Sequence, residues 1–446
     1  MRICLTLALL GWAALGGIAQ AGAASGKPAR SPNVVFIISD DQAWADYGFM
    51  GHPHIATPAL DRLAAQSLVF ERGYTPVPLC RPSLASIVTG LYPHQHGVTG
   101  NDPALPDPGV NSMAARGDAK YVRYYETVIS NFARQPNLVR DLVSRDYLAL
   151  QTGKWWEGDP VKTAGFTHAM TQGTAKGSRH GDAGLAIGRE GLKPIFKFIA
   201  DAGDQPFFVW YAPMLPHAPH TPPEDLLQKY LKVAPGEPVA RYWGCVEWFD
   251  RTCGELLDFL DRQGLRENTI IVYTADNGWI QNPGKANQFA PRSKLTAYEG
   301  GVRTPILISW PGQVKARRDQ EHLASTLDLW PTLAALLKTP TPKGLPGVNL
   351  TNQRAVASRI CIFGEQYAHD ITDVNEPMRS LEHRWLINGW WKLSVPDRRT
   401  RPGEAVELYN LRDDPWEQND LAGKETRRVK KLTAQLDAQW ETPAPR

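Results

Sequence analysis

The apolar run Val34–Ile38 in "PNVVFIISDD" stops abruptly at Ser39, Asp40 and Asp41. A short unbroken stretch of β-branched and aromatic residues with polar ends predicts a buried strand. The period then changes. In "ATPALDRLAAQSLVF", Leu60, Leu63, Ala64 and Leu68 recur at helical spacing, with Thr57 placed to cap and Pro58 at the first helical position. Strand, loop and helix in that order open an α/β layer.

The alternation continues along the chain. "QPNLVRDLVSR" predicts a helix and "DYLALQTGKW" a strand ending at Gly153 and Lys154. "LKPIFKFIADAG" predicts a helix, and "PFFVWYAPMLPH" a strand that enters a proline-rich loop. "VEWFDRTCGELLDFLDRQG" predicts a long amphipathic helix closed by Gly264. "NTIIVYTADNG" and "TPILISW" predict two more strands, and "STLDLWPTLAALL" a helix. Beyond the Pro/Gly-rich "KTPTPKGLPGVNL", the segments "HRWLINGWWKLSV" and "AVELYNL" predict antiparallel strands, with a final helix in the 420s and 430s. Asn101 to Arg134 shows weak periodicity and reads as an insertion over one face.

The expected fold is α/β: a large mixed, mostly parallel sheet flanked by helices, followed by a small C-terminal α+β unit with an antiparallel sheet. The expected boundaries are a signal peptide at 1–23, a catalytic α/β domain at 32–340 and a C-terminal subdomain at 341–446. Arg2, the apolar run Leu5 to Leu15 and Ala19-Gln20-Ala21 give the signal its three parts. That apolar run is too short and too broken by glycine for a membrane anchor. The mature chain is therefore expected to be periplasmic or secreted, with no membrane span.

Lys and Arg number 49 against 46 Asp and Glu, a formal charge of +3, which gives no argument for nucleic acid as a partner. Four cysteines remain beyond the signal, Cys80, Cys245, Cys253 and Cys361, too sparse for a disulfide framework. Cys245 and Cys253 stand eight residues apart on one predicted helix, too far for a bridge, and read as core thiols.

Polar residues gather just after several apolar strands, the edge at which open α/β sheets bind ligands. Asp40, Asp41, Asp276 and Asn277 converge there if their strands are neighbours. Such an all-oxygen set suits Ca²⁺ or Mg²⁺ and not Zn²⁺. Asp and Asn also cap helices and close loops, so spacing alone leaves both readings open. Lys154, His217, His220 and Lys294 fall in loops on the same edge; lysines there can hold a tetrahedral anion and a histidine can move a proton.

Taken in order, Asp40–Asp41, "CRPSLASIVTG", "TGKW", "PHAPH", "TADNG", "KLTAYEGG" and "ELYNLRDDPWEQNDL" resemble the type I sulfatases of the alkaline phosphatase superfamily, over about residues 33–421. The resemblance implies a hydrolase of sulfuric esters, with sulfated carbohydrate or another small sulfate ester as substrate. It implies that Cys80, in a variant of the C-x-P-S-R motif, is oxidised to formylglycine by a maturation enzyme. The hydrated aldehyde then attacks sulfur and later expels sulfate by collapse. It also implies that Asp40, Asp41, Asp276 and Asn277 hold Ca²⁺, with Mg²⁺ the alternative. Lys154 and Lys294 would offset charge on the sulfate oxygens, and His217 would protonate the departing alkoxide.

The pattern departs at two places. Leu84 stands where the family motif has Arg, and Trp156 where family patterns often have His. Arg81, His168, His180 and Asp182 are the candidates to replace the lost polar groups. The alternatives are a phosphodiesterase or phosphonate ester hydrolase on the same scaffold, or a non-catalytic protein that binds sulfated glycans. His94 and His96 are read as structural, the tryptophans as mostly core, and Glu299 as shaping the loop that holds Lys294.

Overall fold

Every residue of Asn33–Ser39 is buried, which places this strand inside a sheet covered on both faces. The computed structural model describes residues 30–104, 117–175 and 183–440. Its main sheet has eight strands in the order Arg317–Asp319, Leu68–Phe70, Ile306–Ser309, Thr269–Ala275, Asn33–Ser39, Phe207–Ala212, Leu148–Gly153 and His168–Ala169. Ile306–Ser309 runs antiparallel to both its neighbours, and the other pairings are parallel.

Alternate residues of each strand serve opposite layers. On one face Val34, Phe36, Phe208, Trp210, Ile270 and Val272 pack against the helices Cys80–Thr89, Ala119–Ala133 and Leu138–Val143. On the other, Val35, Ile37, Val209, Tyr211, Ile271 and Tyr273 meet Pro58–Ala65, Lys193–Ala202 and Glu237–Arg262. Cys245 and Cys253 are free thiols buried in this second core, as the helix spacing predicts.

A second sheet pairs Cys361–Tyr367, Leu381–Asn388, Trp391–Pro396 and Glu407–Asn410 in that order, all antiparallel. Leu432 and Leu436 of the Thr426–Gln439 helix cover one face against Leu386, Leu393 and Leu408. On the opposite face Trp385, Ile387 and Tyr409 pack with Tyr74, Ala297 and Val302 of the larger layer. The described residues from Ser31 onward form a single compact body.

Three local expectations are corrected. The segment read as a weakly periodic insertion contains the 15-residue helix Ala119–Ala133, whose buried stripe is Tyr121, Tyr125, Val128 and Phe132. The small sheet has a fourth strand, Cys361–Tyr367, ahead of the predicted ones. Thr57 makes no side-chain cap; its hydroxyl donates to Asp61 and accepts from the Gly48 backbone instead. The predicted signal peptide lies outside the described residues. Among the described residues no helix is long and apolar enough to cross a membrane.

Candidate active site

Parallel pairing of Asn33–Ser39 with Thr269–Ala275 sets Ser39 opposite Ala275, so Asp40–Asp41 and Asp276–Asn277 leave the sheet side by side. The Asp276 carboxylate accepts both the Asp41 N–H (3.0 Å) and the Asn277 N–H (2.7 Å). Asp41 adopts φ 62°, a left-handed conformation uncommon outside glycine, which turns the chain sharply at the strand end.

The nucleophile candidate comes from the next layer. Cys80 opens the buried helix Cys80–Thr89, and Ser83 anchors that helix by donating to the Asp276 carbonyl at 2.5 Å. Its sulfur lies 3.9 Å from Asp40 Oδ1, 3.8 Å from Asp41 Oδ1 and 3.0 Å from Lys294 Nζ. Lys154 follows Gly153, whose φ of 76° leaves no room for a side chain: a Cβ there would lie 1.8 Å from the Ala212 carbonyl oxygen. Lys154 Nζ donates to Asp40 Oδ1 at 2.6 Å, while Lys294 Nζ takes both Asp41 oxygens at 2.7 Å. His217 Nε2 is 3.4 Å from Asp41 Oδ2, and its Nδ1 is 2.6 Å from the Ala218 carbonyl.

All eight residues singled out in the sequence therefore meet at one buried centre. One ligand atom each from Asp40, Asp41, Cys80 and His217 lies within 4.8 Å of the others. The donor set fits a hard divalent cation on a structural test. Asp40 Oδ2, Asp276 Oδ2 and Asn277 Oδ1 are buried and, among the described residues, meet no hydrogen-bond donor. Asn277 Nδ2 donates to Asp41 Oδ1 (2.7 Å) and to the Gly278 carbonyl (3.1 Å), which leaves the amide oxygen for another partner. Buried oxygens in this state are free to accept a bound cation.

The electrostatics follow from burial and charge. Burial pushes the Asp40 and Asp276 carboxyls above the usual range, against the pull of Lys154. Burial acts in the same direction on Asp41, but Lys294, His217 and Lys154 outweigh it and hold that carboxyl low. Burial raises the Cys80 thiol, so the unmodified side chain stays protonated despite both lysines. Burial tends to discharge the lysines, yet Asp40 for Lys154 and Asp41 for Lys294 keep them firmly charged. Burial, then the Lys154 charge, lower the His217 pKa well below the usual imidazole value.

Of the stand-ins proposed for the missing Arg and His, the two among the described residues are engaged elsewhere. Arg81 is committed to Glu157 through a bidentate pair (2.7 and 2.9 Å), donates to the Asn101 carbonyl at 3.0 Å and lies over the Tyr125 ring. His168 is exposed on the edge strand beside Thr167 and Phe198. His180 and Asp182 lie outside the described residues. Leu84 and Trp156 line an apolar gap with Ala85, Phe132 and Trp155, next to the Arg81–Glu157 pair. Lys154 Nζ lies 5.0 Å from the Trp156 ring centre, a cation–π contact in the place of a polar one.

Sequence reasoning missed Glu157 and Ser83. The one signal for Glu157 was its position three residues after Lys154. Glu299 does brace the Lys294 loop: it accepts from the Tyr74 hydroxyl at 3.0 Å and from Lys392 at 3.0 Å. His96 is buried against Ser86, and His94 pairs with Glu365.

Residues 32–339 match the sulfatase family, and residues 292–443 match the C-terminal region of N-sulphoglucosamine sulphohydrolase. The chain belongs to the type I sulfatase family. This sulfatase is 30% identical to human arylsulfatase A over 70% of its own length, and spans 66% of that protein. It is 24% identical to an N-acetylgalactosamine-6-O-sulfatase of Bacteroides thetaiotaomicron, over 93% of this chain and 94% of that one. Among solved structures it resembles Ps i-CgsB in complex with k-i-k-neocarrahexaose, with a TM-score of 0.69 and 24% identity over 93% and 94% of the two chains.

Proposed function

We propose that this sulfatase hydrolyses sulfate monoesters of carbohydrates, with residue 80 converted to formylglycine and a divalent cation, Ca²⁺ in first place, held by Asp40, Asp41, Asp276 and Asn277. The observation that carries the proposal is the charge balance around Cys80. With their protons displaced, as cation ligands require, three buried carboxylates face two buried ammonium groups, one negative charge in excess. A divalent cation reverses the sign and leaves one positive charge, the match for a monoanionic sulfate ester.

Formylglycine, hydrated, supplies the hydroxyl that attacks sulfur, which the neutral buried thiol of Cys80 does not. A bound divalent cation supplies the positive charge that acidifies such a hydroxyl. Lys154 and Lys294 face the same centre and hold the sulfate oxygens, offsetting charge in the transition state. His217, once protonated, delivers a proton from Nε2 to the departing oxygen while Nδ1–H stays on the Ala218 carbonyl. Leu84 and Trp156 line the apolar gap beside the nucleophile helix.

In this reading residues 32–340 carry the catalytic unit. Residues 341–446 brace the Lys294 loop through Gln366, which accepts from Ala297 N–H, and Glu407, which accepts from the Tyr298 hydroxyl. Export by an N-terminal signal and processing by a formylglycine-forming enzyme complete it. The likeness to the Bacteroides enzyme over almost the whole chain supports a sulfated amino sugar as substrate. The test is release of inorganic sulfate from 6-O-sulfated N-acetylgalactosamine and from 4-nitrophenyl sulfate, beside hydrolysis of an aryl phosphodiester. Predominant turnover of the phosphodiester overturns the assignment.

A further inference from the structure

His220 is a buried imidazole, 4% exposed, and among the described residues neither of its ring nitrogens meets a hydrogen-bond partner. An imidazole enclosed in this state loses its hydration without recompense, and a phenylalanine would fill the same space without that cost. Cys80 and Lys294 are enclosed to the same degree, at 1% and 6%, so burial is shared with groups at the reacting centre.

It shares its neighbours with the site. The ring packs edge-on to Tyr242 (5.3 Å) and Trp279 (5.8 Å between centres). The same Trp279 ring takes the Lys294 ammonium at 5.6 Å, so His220 and Lys294 share one aromatic wall. The Tyr242 hydroxyl lies 3.4 Å from the Asp41 carbonyl. His220 follows His217 by three residues, which bounds their Cα separation at about 11 Å. The His220 backbone N–H donates to Asn287 Oδ1 at 2.8 Å, which ties this loop to the one leading to Lys294.

We propose, resting on the sulfatase reading above, that His220 is a further substrate-contacting residue that hydrogen-bonds a hydroxyl of the leaving sugar beside the sulfate ester. In that reading Lys154 and Lys294 face the sulfate oxygens. Among the described residues His217, on this same loop, is the group assigned to the alcohol. A polyol leaving group presents neighbouring hydroxyls that a simple phenol lacks, so His220 acts on the choice between them. Burial holds the imidazole neutral, with its pKa lowered to about 4, so it carries one donor and one acceptor nitrogen, the pattern a hydroxyl matches.

The test compares wild type with His220→Phe, which keeps ring volume, and His220→Gln, which restores a donor and an acceptor. The substrates are 6-O-sulfated N-acetylgalactosamine and 4-nitrophenyl sulfate, with melting temperature followed in parallel. The expected result is a drop of about 10–100-fold in the sugar-over-aryl ratio of kcat/KM for His220→Phe, with partial recovery in His220→Gln. An unaltered ratio overturns the proposal and leaves the sulfatase reading standing. A wild-type protein that releases sulfate from neither substrate overturns both.

Discussion

The Asp276 carboxylate accepts the backbone N–H of Asp41 at 3.0 Å, although 235 residues separate the two. That single bond joins the two strand ends on which the site is built. The remaining Asp276 oxygen is buried and, among the described residues, meets no donor. Replacing Asp276 by Asn removes one of the three carboxylates while keeping the side chain's size. We expect Asp276→Asn to weaken Ca²⁺ binding by at least about tenfold in titration calorimetry. Equal affinity in the variant would remove Asp276 from the cation site.

Lys294 touches Cys80 and both oxygens of Asp41. Lys294→Ala is expected to lower kcat on 4-nitrophenyl sulfate by about 10²–10³, the usual loss for one transition-state donor. A change confined to KM would assign the lysine to ground-state binding alone.

Arg81 and Glu157 form a bidentate pair buried at 1% and 5% side-chain exposure. They tie the first turn of the Cys80 helix to the loop after Lys154. Removing one partner leaves an unpaired charge in the core. Arg81→Met is expected to cost about 3–5 kcal/mol in denaturant unfolding, and Arg81→Met with Glu157→Met to recover most of it. Equal losses in the single and double variants contradict the pairing argument.

Asp250 links acid to stability. Its carboxylate accepts from Ala59 and Leu60 at the start of the Pro58–Ala65 helix, yet burial dominates and raises its pKa from 3.8 to about 7. The folded state thus holds the proton more tightly than the unfolded one. Its contribution is complete below the unfolded value of 3.8 and is lost as pH rises through about 7. Asp250→Asn, which stays neutral, should give a flatter dependence of melting temperature on pH between those limits. A dependence as steep as that of wild type would show that other groups govern it.

Most of the strands, and the clustering of polar residues at their ends, were legible because buried parallel strands read as unbroken apolar runs, and their ends as sudden polar clusters. "VVFIISDD" and "IIVYTADN" carry both signals at once. Direction was not legible: nothing in "TPILISW" distinguishes the antiparallel Ile306–Ser309 from its parallel neighbours. The Ala119–Ala133 helix escaped notice because two of its four buried positions are tyrosines, Tyr121 and Tyr125, set among charged residues. Cys361–Tyr367 was hidden by Gly364 and the buried Glu365. Gly364 is there because the Trp385 ring and the Pro76 carbonyl occupy the space of a side chain, and Glu365 pairs with His94. The Arg81–Glu157 pair joins the first turn of a helix to a distant loop, and pairing of that kind leaves no periodic trace.

The central claim concerns the chemical state of residue 80, since the buried thiol is held protonated and the motif around it carries Leu84 in place of Arg. Mass spectrometry of the tryptic peptide containing Cys80, from active protein made in its native host, is the most direct measurement. The account predicts the mass of an aldehyde at that position and its capture by a hydrazide reagent. Active protein that carries only the free thiol there would contradict it.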